Sequence, residues 1–209
     1  MKNLVITIGR QCGSGGRELG KKIAAELGID YYDNELVGLA AQKGNLSPEI
    51  SEMADEKATN SLLYSIATGG SLRGMFNGYY EMPLNDRVFL AQAETIKQLA
   101  HEKSCVIVGR CSNYILRDEE DIDVVNLFIF ADMDYRIKRI KDEENLTEKQ
   151  AKDRIIKTEK KRRAYYNYYS SGSWGNASDY DLCINLTDID FDTAITIIKD
   201  YINKKQRNS

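Results

Sequence analysis

The sequence predicts a doubly wound α/β fold with a parallel central sheet, and three observations predict it. An apolar, β-rich run (Leu4-Val5-Ile6-Thr7-Ile8) passes straight into a glycine-dense turn, and a helical apolar pattern follows at Leu19, Ile23, Ala24 and Leu27. Three later stretches, residues 104–108, 124–130 and 180–186, are apolar almost throughout rather than alternating. That pattern suits strands covered on both faces. Helical spacing fills the intervals, over residues 15–27, 86–102, 133–141, 147–169 and 192–203. The run Leu27-Gly28-Ile29-Asp30-Tyr31-Tyr32-Asp33 reads as a helix end, a short second strand and an aspartate at that strand's C-terminal end. In such folds ligands bind beyond the C-terminal ends of the strands. The turn after the first strand and Gly109-Arg110 after the third therefore face one crevice.

The 209 residues fit one α/β domain, 1–209, with a helical insertion over 44–85. A helix opening at Ser47-Pro48-Glu49 and running to about Ile66 is expected there, followed by a connection rich in glycine and tyrosine. A net charge of -3 and a pI near 5.4 argue against nucleic acid as partner. No apolar run approaches the ~20 residues that span a bilayer. The first strand begins almost at once, which is read as leaving no room for a signal peptide. The four cysteines, Cys12, Cys105, Cys111 and Cys183, form no CxxC pair, and His101 is the single histidine. Zinc and disulfide readings have no support, no metal-ligating residues are expected, and the expected compartment is the cytoplasm.

The turn reads Gly9-Arg10-Gln11-Cys12-Gly13-Ser14-Gly15-Gly16-Arg17-Glu18. Strand, glycine loop and helix form the context in which backbone N–H groups cradle phosphate. The loop resembles the P-loop pattern G-x-x-x-x-G-K-[ST] but carries Gly16 where the lysine belongs and Glu18 where a hydroxyl belongs. Arg17, one place later, or Arg10, at the loop entrance, could supply the missing charge, as a planar fork rather than a point charge. The alternative is a glycine turn used only for tight helix–sheet packing. Asp33, at the end of the second strand, either orders an acceptor hydroxyl or a magnesium-bound water, or caps the helix starting at Asn34.

Taken together, the 6–20 block, Tyr31-Tyr32-Asp33, Val106-Ile107-Val108-Gly109-Arg110, Tyr135-Arg136-Ile137-Lys138-Arg139-Ile140 and Asp179-Tyr180-Asp181-Leu182 resemble the cytidylate kinase-like branch of the P-loop nucleoside monophosphate kinases. The blocks occur in that family's order across nearly the whole chain. The resemblance implies a three-layer fold with a five-stranded parallel sheet, an ATP site at the loop, a monophosphate-binding insertion and a basic lid. It departs from true cytidylate kinases after Asp33, where Asn34-Glu35-Leu36-Val37-Gly38 lacks the serine and arginine expected for the monophosphate.

On this reading Gly13, Ser14, Gly15, Gly16, Arg17 and Glu18 surround the ATP phosphates, with Arg136 and Arg139. Arg17, Arg154 and Arg162 supply catalytic charge. Asp33 and Arg110 bind the acceptor, because a guanidinium holds phosphate bidentately. The lid-like segment is 142–178, in which Arg154, Lys157 and Lys161 fall on one helical face with Arg162 beside it. A charged, solvated helix face is the plainer account of the same run. Tyr165, Tyr166, Tyr168 and Tyr169, with Trp174, either stack a base or pack the lid or a homodimer seam. Asn185-Leu186-Thr187, after the last strand, is where such kinases place a loop against adenine. The expected activity is transfer of the ATP γ-phosphoryl, with Mg2+, to CMP, dCMP or a similar small phosphorylated acceptor. A nucleotide-binding sensor and a kinase with a non-nucleotide acceptor are the alternatives. The expected partner is a small-molecule nucleotide, with no membrane and with a homodimer as the one protein contact considered.

Overall fold

In a computed structural model, residues 2–33, 36, 38, 39, 83–170 and 172–207 are described. Strand β1 (Asn3–Arg10) leads through the glycine turn into α1 (Gly16–Leu27) and β2 (Asp30–Tyr32). Then come α2 (Leu84–Glu102), β3 (Cys105–Val108), the single turn α3 (Ser112–Ile115) and β4 (Ile122–Phe130). Helices α4 (Met133–Glu144) and α5 (Glu148–Ser170), a 3-10 turn (Ala177–Asp179), β5 (Leu182–Asn185) and α6 (Phe191–Arg207) complete the chain. The five strands are ordered β2-β3-β1-β4-β5, all parallel. Central β1 pairs with β3 from Val5↔Cys105 to Ile8↔Val108, and with β4 from Asn3↔Ile122 to Arg10↔Ile129.

Each face of the sheet has its own core, so the architecture is three-layered. One core joins Ile6, Ile8, Leu127 and Ile129 to Leu19 and Ile23 of α1 and to Ala194, Ile198 and Ile202 of α6. The other joins Val5, Cys105 and Ile107 to Ile96, Leu99 and Ala100 of α2, Ile115 of α3, and Tyr165 and Tyr166 of α5. Burial on both faces explains the unbroken apolar runs of the inner strands. A third cluster joins Cys12 of the turn to Ile137 and Ile140 of α4 and to Ala151 and Ile155 of α5. Gly28 ends α1 in the left-handed region (φ 64°), where an L side chain is strained.

Several boundaries differ from expectation. Strand β4 starts at Ile122, because Ile122 pairs beside Asn3 and is buried against the second core. Strand β5 starts at Leu182 rather than Tyr180, because the Tyr180 ring leaves the ladder to pack 5.0 Å from that of Phe128. Arg10 continues β1 past the expected end, which proves important for the site. The expected helix from Ser47 to about Ile66 and the connection after it lie outside the described residues. No described helix is long and apolar enough to cross a membrane.

Candidate active site

The glycine turn is pinned from below. Ser14 is fully buried, and its hydroxyl donates to the carbonyls of Gln11 (3.0 Å) and Ile129 (3.2 Å). The Gln11 side-chain oxygen accepts from Ala131 N–H at 3.2 Å, tying the turn to the end of β4 a second time. Gly13 and Gly15 hold left-handed φ values of 77° and 87°. A Cβ at Gly13 would also stand 2.8 Å from the Arg136 carbonyl, so this glycine serves packing as well as backbone freedom. Helix α1 then begins with Gly15 at its cap position and no side chain capping it. An uncapped helix N-terminus points backbone N–H groups and a positive dipole end at the crevice, which suits an anion.

Around that end the guanidinium groups of Arg10 and Arg17 meet the Asp33 carboxylate, and Arg110 lies within their electrostatic reach. Arg17 Nε lies 2.5 Å from Asp33 Oδ2, and Arg10 Nη2 lies 3.8 Å from Asp33 Oδ1. Asp33 therefore turns its carboxylate to arginine; the Leu36 N–H donates to the Asp33 backbone oxygen instead. The Tyr31 hydroxyl donates to Asp33 Oδ2 at 3.4 Å, and burial pushes the Tyr31 pKa well above the ordinary phenol range. Arg110 is 3% exposed at the end of β3. Burial pushes its pKa down to about 10, and the charges of Arg10 and Arg17 push the same way. It stays a cation at neutral pH.

The backbone that presents Arg110 is unusual. Gly109, Arg110 and Cys111 hold consecutive φ values of 78°, 58° and 55°. Left-handed geometry costs a non-glycine residue roughly 1–2 kcal/mol. Such conformations persist where the surrounding structure over-determines them, as it does at functional sites. Here Gly109 N–H is held by the Ile8 carbonyl at 2.9 Å, and Ser112 N–H donates to the Gly109 carbonyl at 3.0 Å.

The arginines of α4 and α5 are arranged differently. Arg136 is buried with Glu159 at 2.5 Å from its Nη1. Arg139 pairs with Glu18 at 3.1 Å and with Glu143 at 2.7 Å. Arg154, half exposed, reaches Glu144 at 3.4 Å. Lys157 and Lys161 are exposed. Arg162 takes the inward side of α5, in line with buried Ala151 and Ile155, and donates to the Arg10 carbonyl at 3.1 Å. The Cys12 thiol sits between these elements, its pKa raised by burial and partly restored by Arg162.

The tyrosines mostly pack. Phe89 stacks on Tyr169 (4.0 Å, 7°) and meets Tyr165 edge-on, fixing α5 to α2. The Tyr165 and Tyr169 hydroxyls donate to Gln92 Oε1 (3.2 Å) and Asp86 Oδ1 (2.9 Å). Tyr165 and Tyr166 also line a cavity with Trp174, Tyr180, Arg10, Arg110 and Arg162. Asn113 lines it too, and its Nδ2 donates to the Tyr166 hydroxyl at 2.9 Å. Asn185 and Thr187 close a turn whose Thr187 hydroxyl accepts from Asp132 N–H at 2.8 Å.

The family model described as "Cytidylate kinase-like family" matches residues 5–188, spanning the turn, Asp33, Arg110 and the arginine helices. The chain belongs to this family. A cytidylate kinase from Archaeoglobus fulgidus is 29% identical over 206 residues, covering 96% of each chain. Among solved structures, an uncharacterized protein from Eubacterium ventriosum is 29% identical with a TM-score of 0.69, covering 96% of this chain and 98% of that one. A shikimate kinase from Bacteroides thetaiotaomicron shares 12% identity and a TM-score of 0.53, covering 96% and 98%. Another, from Acinetobacter baumannii in complex with shikimate, shares 12% and a TM-score of 0.50, covering 98% and 95%. The shikimate kinases share the fold. Family membership supports a kinase-type phosphotransferase acting on a nucleotide or other small molecule.

Within this family member the sequence reading missed Gln11, Glu159 and Asn113. Gln11 and Glu159 act by holding other groups, which composition does not reveal. One signal for Arg162 was present: the apolar row Ala151, Ile155, Tyr165, Tyr166 marks the inward face of α5, and Arg162 falls on it.

Proposed function

We propose that the protein is an ATP-dependent phosphotransferase. It moves the γ-phosphoryl group to a nucleoside monophosphate, CMP or dCMP, or to a similar small phosphorylated acceptor, in the cytoplasm. The observation that carries this reading is the placing of Arg10, Arg17 and Arg110 near Asp33, beside the uncapped start of α1. Guanidinium groups beside an uncapped helix N-terminus suit a crevice that takes up phosphate. Phosphoryl transfer is mostly positioning plus electrostatic stabilisation, so the chain needs little covalent chemistry of its own.

On this reading each residue of the site has a role. The amides of Gly13, Gly15 and Gly16 and the first turn of α1 hold the donor phosphates, while Ser14 and Gln11 keep the turn in shape. Arg110 holds the acceptor phosphate from a rigid, buried position. Asp33 keeps Arg17 and Arg10 oriented and offers a carboxylate to the acceptor or the metal shell. Arg162 braces the turn from α5. Among the described residues no three acidic, histidine or cysteine side chains cluster as a metal cage. That donor set fits Mg2+ held by phosphate oxygens and water beside one carboxylate, here Asp33. When bound, Mg2+ neutralises phosphate charge. Glu18 is engaged by Arg139, so it is not counted in that set.

The test is ADP release from Mg-ATP by the purified protein with CMP, dCMP, UMP, AMP or GMP, against an acceptor-free control. A rise with one monophosphate, CMP or dCMP expected, supports the reading and names the acceptor. ATP binding with no rise for any of them overturns the nucleotide acceptor, and leaves a sensor or another acceptor.

A further inference from the structure

We infer that Arg10 is the phosphate-facing cation of the glycine turn, supplying the charge that the usual pattern obtains from a lysine at the position of Gly16. The inference rests on the phosphotransferase reading for its role in transfer, but its structural core is separate.

A Cβ placed on Gly16 would stand 2.7 Å from Arg10 Cβ, with Arg10 Cγ at 3.4 Å and Ile129 Cβ at 3.1 Å. Real Cβ atoms do not come that close. The stem of Arg10 therefore fills the space through which a side chain at residue 16 would grow. The missing lysine and the buried arginine are one substitution in two parts: the cation has moved from the first turn of α1 to the last residue of β1, and Gly16 is the room it needs. A second glycine completes the path. The Arg10 guanidinium lies across Gly109, close enough that a side chain there would collide with it, and it ends 3.8 Å from Asp33. It also lines the cavity shared by Arg110 and Arg162. Arg10 is 6% exposed, and its carbonyl is held by Arg162 at 3.1 Å.

Arg17, the nearer candidate by sequence, is less suited. Its side chain is 53% exposed and is held by Asp33 at 2.5 Å. Arg10 instead sits between the glycine turn and the Gly109 turn, where donor and acceptor phosphates would meet. A planar fork there can hold two oxygens at once.

The test is a charge swap. Arg10→Ala, Gly16→Lys and the double variant Arg10→Gly/Gly16→Lys are compared with wild type for ATP affinity by calorimetry, acceptor-dependent kcat and KM, and Tm. Arg10→Ala is expected to weaken ATP binding about tenfold and to lower kcat about 10²- to 10³-fold, the range for losing one transition-state donor, with acceptor KM little changed. Gly16→Lys alone should lower Tm and activity, because its side chain meets Arg10. In the double variant glycine at residue 10 removes the Cβ that stands 2.7 Å away and leaves Ile129 Cβ at 3.1 Å, so both Tm and ATP affinity should recover towards wild type, at least fivefold in affinity over Arg10→Ala. A purely structural Arg10 would lower Tm without that recovery of affinity; this result overturns the inference, as does Arg10→Ala with wild-type ATP affinity. Calorimetry needs no acceptor. Absence of turnover in wild type would thus count against the phosphotransferase reading, while the order of ATP affinities still decides the role of Arg10.

Discussion

Two groups of arginines in this protein are held differently. At the strand ends, Arg10 and Arg17 meet Asp33, and Arg110 lies near all three. On α4 and α5, Arg136, Arg139 and Arg154 each meet a glutamate: Glu159, Glu18 with Glu143, and Glu144. The first group presents Arg10 and Arg110, both buried, at the ends of inner strands beside the uncapped start of α1; the second sets each of its arginines on a glutamate. A motif count treats all these arginines alike. The difference teaches that the strand-end group is organised to receive an anion, whereas the helix group is organised to hold two helices and the glycine turn together.

The comparison breaks most sharply at Arg110. Arg110→Lys keeps the charge but loses the fork, and kcat/KM for the acceptor should fall on the order of 10²-fold, with the far-UV circular dichroism spectrum unchanged. A loss under threefold would remove Arg110 from acceptor binding. Glu159→Gln strips the partner from buried Arg136 and should cost on the order of 3 kcal/mol in urea denaturation, since breaking a buried pair strands a charge. An unchanged midpoint would show that the pair does not hold α4 to α5. Tyr169→Phe removes one hydroxyl bonded to Asp86 and should cost about 1 kcal/mol, leaving turnover within twofold. Glu18→Gln should be the mildest. Its pair with Arg139 is partly exposed, so stability should change by less than about 1 kcal/mol, while ATP affinity rises a few-fold as negative charge leaves the mouth of the turn. A fall in affinity would assign Glu18 to the bound state.

Much of the fold was legible because strands buried on both faces leave an apolar signature that needs no neighbours to interpret. Leu4 to Ile8, Val106 to Val108 and Val125 to Ile129 are such strands. The three-residue β2 was marked only by Tyr31-Tyr32, and α3 left no signal at all. At the site, Arg110 and Asp33 could be read because each follows a strand at its C-terminal end. The coupling of Arg10 to Gly16 could not: the sequence shows an absent lysine, and only the approach of two backbones six residues apart shows what fills its place. The helical stripe at Arg154, Lys157 and Lys161 was a true periodicity, yet the packing of Ala151 and Ile155 selects a neighbouring face that carries Arg162. In the tyrosine cluster, Tyr165 and Tyr169 pack on α2, and Tyr165 and Tyr166 also line the arginine cavity.

The register of the central strand bears on how the chain is made. Asn3–Arg10 leaves the ribosome well before its partners, Cys105–Val108 and Ile122–Phe130. At synthesis rates of roughly 5–20 residues per second, its apolar edges wait on the order of 10 s for them. During that interval the future floor of the site is an exposed hydrophobic strand, and nascent-chain binding by a chaperone would matter most there.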